Sequence, residues 1–212
     1  MQIVLIADTH NYTPADFQIP EGDFLIHCGD ATGVGTIGEV GKFLTWFGKQ
    51  PHRNKIFVAG NHDFLFEKQP GLAAQMCKDN GVIYLEDRGT IVEGLHIYGT
   101  PWQPRFLDWA FNLDEQDLME KFQHIPGGLD ILVTHCPPYR IMDETNHDFK
   151  THYIGSRDLA EIVEKQKPKV HVFGHCHGGY GVKQIGRTKF INAATCNPHY
   201  KPVNPAICIE LP

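Results

Sequence analysis

Val170-His171-Val172-Phe173-Gly174-His175-Cys176-His177-Gly178 is an apolar run that ends in two imidazoles, set two residues apart between glycines. Its first four residues have the composition of a buried strand. A strand that stops in His-x-His can present both rings on one side of an extended backbone. A single histidine there would mean little, but the pair asks for partners elsewhere in the chain.

Such partners stand at the ends of other apolar runs. Residues 2–7 lead into Asp8-Thr9-His10, 23–28 into Gly29-Asp30, 54–59 into Gly60-Asn61-His62-Asp63, and 129–134 into His135. In open α/β sheets the C-terminal strand edge is where ligands bind. Glycines at 29, 60, 174 and 178 suit tight backbone excursions beside a crowded site.

Strands are predicted over 2–7, 23–28, 54–59, 82–85, 89–93, 95–99, 129–135, 169–174, 188–193 and 205–210. Helical spacing covers 37–49, 70–79, 114–123 and 156–166. In the last, Leu159, Ile162 and Val163 form an apolar stripe and Pro168 closes the helix. Glu86-Asp87-Arg88-Gly89 and Val92-Glu93-Gly94-Leu95 have the composition of hairpin turns. Strand–helix alternation in the first third predicts parallel pairing, and the middle looks antiparallel. The expected architecture is a mixed-sheet α/β (α+β) sandwich with helices outside, a single domain over 1–212.

Composition narrows the function. Hydrophobic content of 42% with 21% charged residues is that of a soluble globular chain. The formal charge of −6 and the lack of a basic run argue against long nucleic acid as partner. They leave a phosphate substrate open, because bound cations reverse the local charge. No stretch approaches the roughly 18 apolar residues of a membrane span, and none has the form of a signal segment, so no membrane partner is expected. Cysteines 28, 77, 136, 176, 196 and 208 are widely spaced with no C-x-x-C pair. Reduced thiols in a cytoplasmic protein are expected. Cys28, Cys136 and Cys176 are read as packing residues whose side chains oppose the polar face.

Asp8, His10, Asp30, Asn61, His135, His175 and His177 make seven nitrogen and oxygen donors, a set suited to Mn, Fe, Zn or Ni. Seven exceed one closed tetrahedral site and fit two ions bridged by one carboxylate. Two ions about 3.5–4 Å apart can clamp a phosphoryl group and activate a bridging hydroxide for in-line attack.

Taken in order, Asp8-x-His10, Gly29-Asp30, Gly60-Asn61-His62-Asp63, His135 and Gly174-His175-Cys176-His177 resemble the five blocks of the calcineurin-like metallophosphoesterases over nearly the whole chain. Ile97-Tyr98-Gly99-Thr100-Pro101-Trp102, Thr134-His135-Cys136-Pro137-Pro138, Gly179-Tyr180-Gly181 and Ile191-Asn192-Ala193-Ala194-Thr195-Cys196 are similar to the metallophosphoesterase-domain-containing branch, where cyclic-nucleotide phosphodiesterases are found. The resemblance implies two mixed sheets flanked by helices. It implies one metal on Asp8, His10, Asp30 and His177, and a second on Asp30, Asn61, His135 and His175. Manganese comes first among the implied ions, with Fe, Zn, Ni, Co or Mg as alternatives. Asn61 and His62 would face the substrate, His62 as the catalytic group at the leaving alkoxide, with Asp63 orienting it. The substrate would be a small phosphodiester or nucleotide, with 2′,3′- or 3′,5′-cyclic nucleotides as candidates. A nuclease, a phosphomonoesterase and a non-catalytic metal or nucleotide binder stay open.

Two departures from the wider pattern matter. Protein phosphatases of this superfamily carry Asp-Arg-Gly after the bridging aspartate, whereas Asp30 is followed by Ala31-Thr32-Gly33-Val34-Gly35 without arginine. Some relatives lack the first histidine of the Gly-His-x-His block, and here His175 is present. The remaining histidines (27, 52, 96, 124, 147, 152, 171 and 199) are read as structural or surface residues. Trp102, Arg105, Phe106 and Trp109 suit either a base-stacking pocket or a loop-packing cluster. Residues 143–148 are read as a solvated loop, with a lid at the site mouth as the alternative. No motif speaks to oligomeric state.

Overall fold

A computed structural model describes residues 1–147 and 150–212. Its first half contains Gln2–Ile6 (β1), Phe24–Cys28 (β2), Ile37–Gly48 (α1), Asn54–Val58 (β3), Phe64–Lys68 (α2), Pro70–Asp79 (α3), Ile83–Tyr84 (β4), Arg88–Val92 (β5) and Leu95–Thr100 (β6). Gln103–Pro104 (β7), Asn112–Leu113 (β8), Glu115–Phe122 (α4), Ile131–Thr134 (β9), Glu144–His147 (β10), Lys150–Tyr153 (β11) and Arg157–Gln166 (α5) follow. Val170–Phe173 (β12), Gly181–Ile185 (β13), Thr188–Asn192 (β14) and Ile207–Glu210 (β15) complete the chain.

Two mixed sheets dominate, ordered β15-β1-β2-β3-β4 and β13-β14-β12-β9-β6-β5. In the first, β1 to β4 run parallel and β15 returns antiparallel. In the second, β6, β9, β12 and β14 are parallel between antiparallel β5 and β13. The period-2 alternation of side chains decides the layers. Ile3 and Leu5 enter the space between the sheets with Ile26, Val58, Val133, Val172 and Ile191. Val4 and Ile6 face the opposite way, under Val40, Phe43, Leu44 and Phe47 of α1. On the far side, Leu118 and Phe122 of α4 and Leu159, Ile162 and Val163 of α5 cover Leu132 and Phe173. Each such large apolar side chain contributes about 1.5–3 kcal/mol on burial.

The helices begin where their caps dictate. Thr36 and Glu39 form a reciprocal capping box at α1, and the Ser156 hydroxyl accepts from the Leu159 amide at α5. Among the described residues, no helix is long and apolar enough to cross a membrane.

Parallel pairing brings strand ends with the same polarity to one edge. The edges of both sheets meet there, since Ala7 bridges Ala194 in parallel and the Thr195 amide donates to the Ala7 carbonyl at 2.8 Å. Past the ends of β1 and β2 the loops stay zipped. Asp8, His10 and Asn11 amides donate to the Gly29, Asp30 and Ala31 carbonyls at 2.9, 3.0 and 3.0 Å.

Two local expectations change. Residues 92–95 do close a hairpin, with Glu93 and Gly94 at φ 50° and 86° as a mirror-image turn requires. Residues 86–89 do not. There β4 pairs with β3 and β5 with β6, so the turn carries the chain from one sheet to the other. Asp87 anchors this crossing by accepting from the Thr100 hydroxyl, the Trp102 indole and the Lys121 ammonium.

Residues 143–147 are not a solvated loop. Asp143 is buried and accepts from the Arg140 and Gly155 amides at 3.0 Å each, and β10 pairs with β11. Asp148 lies outside the described residues. Glu144-Thr145-Asn146-His147 has no apolar alternation, so its backbone pairing left no periodic trace. Polar β13 escaped prediction for the same reason, and five-residue α2 is too short to show a helical period.

Candidate metal centre

All seven predicted donors converge at this edge. Asp8 and His10 follow β1, Asp30 follows β2, Asn61 follows β3, His135 follows β9, and His175 and His177 follow β12. Asp8, His10, Asp30 and His175 adopt φ of 52°, 41°, 55° and 65°. Side chains other than glycine enter this left-handed region at a cost of about 1–3 kcal/mol each. Four such residues at one edge mark a functional site that the surrounding packing over-determines.

Among the described residues, three overlapping groups have ligand atoms within 4.8 Å of one another: Asp8-His10-His177, His10-Asp30-His62 and Asp30-His135-His175. His177 Nε2 lies 3.1 Å from His10 Nε2 and 3.5 Å from Asp8 Oδ1. His135 Nε2 lies 3.4 Å from Asp30 Oδ1, and Asp30 Oδ2 lies 3.9 Å from His10 Nε2. Asn61 Oδ1 is 2.9 Å from both His135 Nε2 and His175 Nδ1.

Partners outside the donor set orient the rings. His177 Nδ1 meets the Asn197 carbonyl at 3.1 Å, and His135 Nδ1 meets the Cys28 carbonyl at 2.9 Å. A carbonyl only accepts, so each Nδ1 carries a proton and, in the neutral ring, Nε2 turns a lone pair inward. Inward lie other imidazole nitrogens and carbonyl or carboxylate oxygens. A proton or a metal cation satisfies lone pairs that face acceptors in this way, and nitrogen and oxygen donors of this kind fit divalent ions.

The titration behaviour follows from the same arrangement. Burial works to raise the Asp30 carboxyl, but the His135 charge and hydrogen bond, with His62 and His10, hold it well below the usual range. Burial works to lower His135, yet Asp30 and Asp8 push it up to about 9. Asp8 is likewise held low, burial notwithstanding, by the hydrogen bond and charge of His177. Burial dominates at His175, which falls to about 4 with help from the His135 charge.

His62 and Asp63 do not form the expected pair. His62 Nδ1 donates to the Gly33 carbonyl at 2.6 Å, its ring stacks on Trp109 at 4.1 Å and 30°, and its Nε2 lies 3.9 Å from Asp30 Oδ2. Asp63 instead accepts from the Gly60, Ala31 and Thr32 amides and the Thr32 hydroxyl, at 2.8, 3.3, 3.0 and 2.7 Å. Fully buried, its carboxylate knits the Asp30 loop to the Asn61 loop, so any influence on His62 passes through backbone.

Sequence reasoning missed how two buried histidines support the ligand loops. The His27 ring meets the Thr9 hydroxyl at 2.9 Å, between Asp8 and His10. His171 Nε2 donates to Thr134 Oγ1 at 2.9 Å, beside His135, and Thr134 donates onward to the Cys136 carbonyl at 2.6 Å. The one available signal was a histidine inside an apolar strand just before a ligand block. Of the aromatic cluster, Trp102 binds Asp87 and carries Lys121 over its ring at 4.3 Å, while Arg105 pairs with Asp114. Only Trp109 reaches the site.

Residues 1–179 match the family described as calcineurin-like phosphoesterase. The chain belongs to that family. This calcineurin-like phosphoesterase is 40% identical over 236 aligned positions to metallophosphoesterase domain-containing protein 1 of Homo sapiens, covering all of this chain and 71% of the relative. It is 35% identical to the Caenorhabditis elegans UPF0046 protein T07D4.2, covering all of this chain and 60% of that protein. Its fold is shared with the phosphopantetheinyl hydrolase of Mycobacterium tuberculosis, at TM-score 0.65 and 15% identity over 94% of this chain and 90% of the other. Membership makes the chain a hydrolase of phosphoric esters with a metal-binding Asp/His cluster.

Close packing at the strand ends gives this calcineurin-like phosphoesterase a sharp dependence on Gly174. A Cβ there would meet Asp8 Oδ2 and the Ala7 methyl. Gly174→Ala is expected to displace Asp8, lower the metal content relative to wild type and cost about 1–3 kcal/mol in overpacking. Elemental analysis and thermal melting check this; wild-type metal content with an unshifted melting temperature would refute it.

Proposed function

We propose that the chain is a two-metal phosphodiesterase acting on small phosphodiesters, with cyclic nucleotides as candidate substrates and manganese as the working ion. The observation that carries this reading is the position of Asp30, between His10 on one side and His135 on the other. One carboxylate thereby joins two donor sets. Asp8, His10, Asp30 and His177 would hold one ion, and Asp30, Asn61, His135 and His175 the other. When bound, two such ions supply positive charge to the phosphoryl oxygens and lower the pKa of a water nucleophile.

The chain's own residues do the rest. With Nδ1 committed to the Gly33 carbonyl, His62 offers Nε2 on the site side, where it can protonate a departing alkoxide. Asn61 and His62 together face the phosphoryl group. No arginine follows Asp30, which counts against a protein phosphatase. All six cysteines are free and five are buried, which suits a reducing cytoplasm.

His62→Ala should lower the chemical step about 10²–10⁴-fold while both metals stay bound. Loss of metal instead would make His62 a ligand, a role its grouping with His10 and Asp30 also allows. The reading as a whole is tested with protein stripped of metal and reconstituted with Mn²⁺, assayed on bis-p-nitrophenyl phosphate and on the mono-ester. Diester turnover that requires metal and disappears in His175→Ala supports it. A protein that binds two ions and hydrolyses neither ester is a binder, and the proposal fails.

A further inference from the structure

The turn at residues 197–201 lies beyond the stretch matched to the family, yet it closes over the ligands of one metal subsite. Asn197 organises it. Its carbonyl accepts from the Tyr200 amide at 2.8 Å, and its amide donates to the Lys201 carbonyl at 2.9 Å. Its side-chain oxygen accepts from the His199 and Lys201 amides at 3.0 and 3.1 Å. The carbonyl that receives the Tyr200 amide also receives His177 Nδ1. One turn therefore orients a metal-site histidine and carries Tyr200 over it.

Tyr200 is held there with some force. It sits at φ 55°, outside the ordinary range for a ring-bearing residue, and its carbonyl accepts from the Tyr12 hydroxyl at 3.2 Å. Tyr12 stands two residues past His10, so both sides of the mouth are tied together. The Tyr200 ring lies 4.8 Å from the His10 ring and 4.9 Å from the His177 ring. It is nevertheless 50% exposed. The ring rests on two imidazoles and the residue leaves half of its surface open to solvent.

The His10 ring also touches the His62 ring, with centroids 4.7 Å apart, and Trp109 backs His62. In the reading above His62 serves the leaving group, which leaves Tyr200, against His10 and His177, for the ester group that stays on phosphorus. Aromatic side chains beside a phosphate site bind planar bases by stacking, and do so without reading their hydrogen-bonding edges.

We propose that Tyr200 is a specificity-determining residue, stacking on a planar ring, nucleobase or aryl, carried by the retained ester group of the phosphodiester. The inference rests on the phosphodiesterase reading and adds a substrate class to it. The test uses two esters with one leaving group, thymidine 5′-p-nitrophenyl phosphate and methyl p-nitrophenyl phosphate, on Mn²⁺-loaded protein. Wild type should favour the nucleoside ester through KM. Tyr200→Ala should reduce that KM ratio about tenfold or more, and Tyr200→Phe, which keeps the ring, should restore it. Equal losses on both esters, or loss of bound metal, would make Tyr200 a mere support for His10 and His177 and overturn the proposal.

Calorimetric binding of thymidine 5′-monophosphate against methyl phosphate separates the two possible failures. If neither ester turns over but wild type prefers the nucleotide and Tyr200→Ala does not, the stacking role stands and the phosphodiesterase reading falls. If wild type shows no preference, the stacking role falls whatever the turnover.

Discussion

Asp30→Asn is expected to lower diester turnover by at least about three orders of magnitude, equivalent to about 4 kcal/mol of barrier, in a protein that stays folded. Asparagine keeps the shape of the side chain and an oxygen for the His62 amide, which Asp30 Oδ1 accepts at 2.8 Å. The loops therefore hold their course. What disappears is the negative charge that stands between His10 and His135. Metal content measured on the variant should fall below two ions per chain. In metal-free protein the His135 ring, which burial works to lower, should drop from about 9 once the Asp30 charge is gone, as a histidine titration by NMR would record. Turnover within tenfold of wild type, with both ions retained, would show that Asp30 is not shared.

Acid should destabilise the fold from about pH 6.5 downward, and steeply. Burial drives His27 and His171 each down to about 3 from an unfolded value of 6.5. Their environment explains why they stay neutral: each has one nitrogen on a threonine hydroxyl, and the other buried without a hydrogen-bond partner. Between pH 6.5 and about 3 the unfolded chain binds one more proton than the folded chain at each residue. Unfolding free energy then falls as pH falls, by about 1.4 kcal/mol per unit for each histidine and about 2.7 for the pair. The depressed carboxyls of Asp8 and Asp30 add their loss only as the pH drops below the ordinary 3.8.

Denaturant titrations at pH 7, 6 and 5 measure the slope. His171→Gln keeps a donor for Thr134 but cannot titrate, so its slope should be shallower by about 1.4 kcal/mol per unit. Acid release of metal affects both proteins alike, so the difference between the slopes reports His171. Parallel slopes would refute the assignment.

The donor set was legible because of what precedes each member. Asp8, Asp30, Asn61, His135 and His175 each follow a short apolar run, and parallel strands of one sheet must release their chains at the same edge. The helix at 156–166 was legible from its apolar stripe of Leu159, Ile162 and Val163 and from Pro168 beyond it. The polar strands β10 and β13 were not, because backbone pairing between polar segments leaves no hydrophobic period. Residues 86–89 carry hairpin composition, yet the strands on either side belong to different sheets, and composition does not report which strand pairs with which.

The sequence by itself thus determined the apolar strands and the family and nominated the donors, since these depend on spacing along the chain. The tertiary structure alone decided how the donors are held. His62 takes its orientation from the Gly33 carbonyl rather than from adjacent Asp63, and Asp63 spends its charge on three backbone amides and a hydroxyl. Tyr200 reaches His10 from 190 positions away along the sequence. Hydrogen bonds and ring contacts form wherever loop paths bring atoms within a few ångströms, and those paths are set by how the two sheets pack, not by the order of the residues.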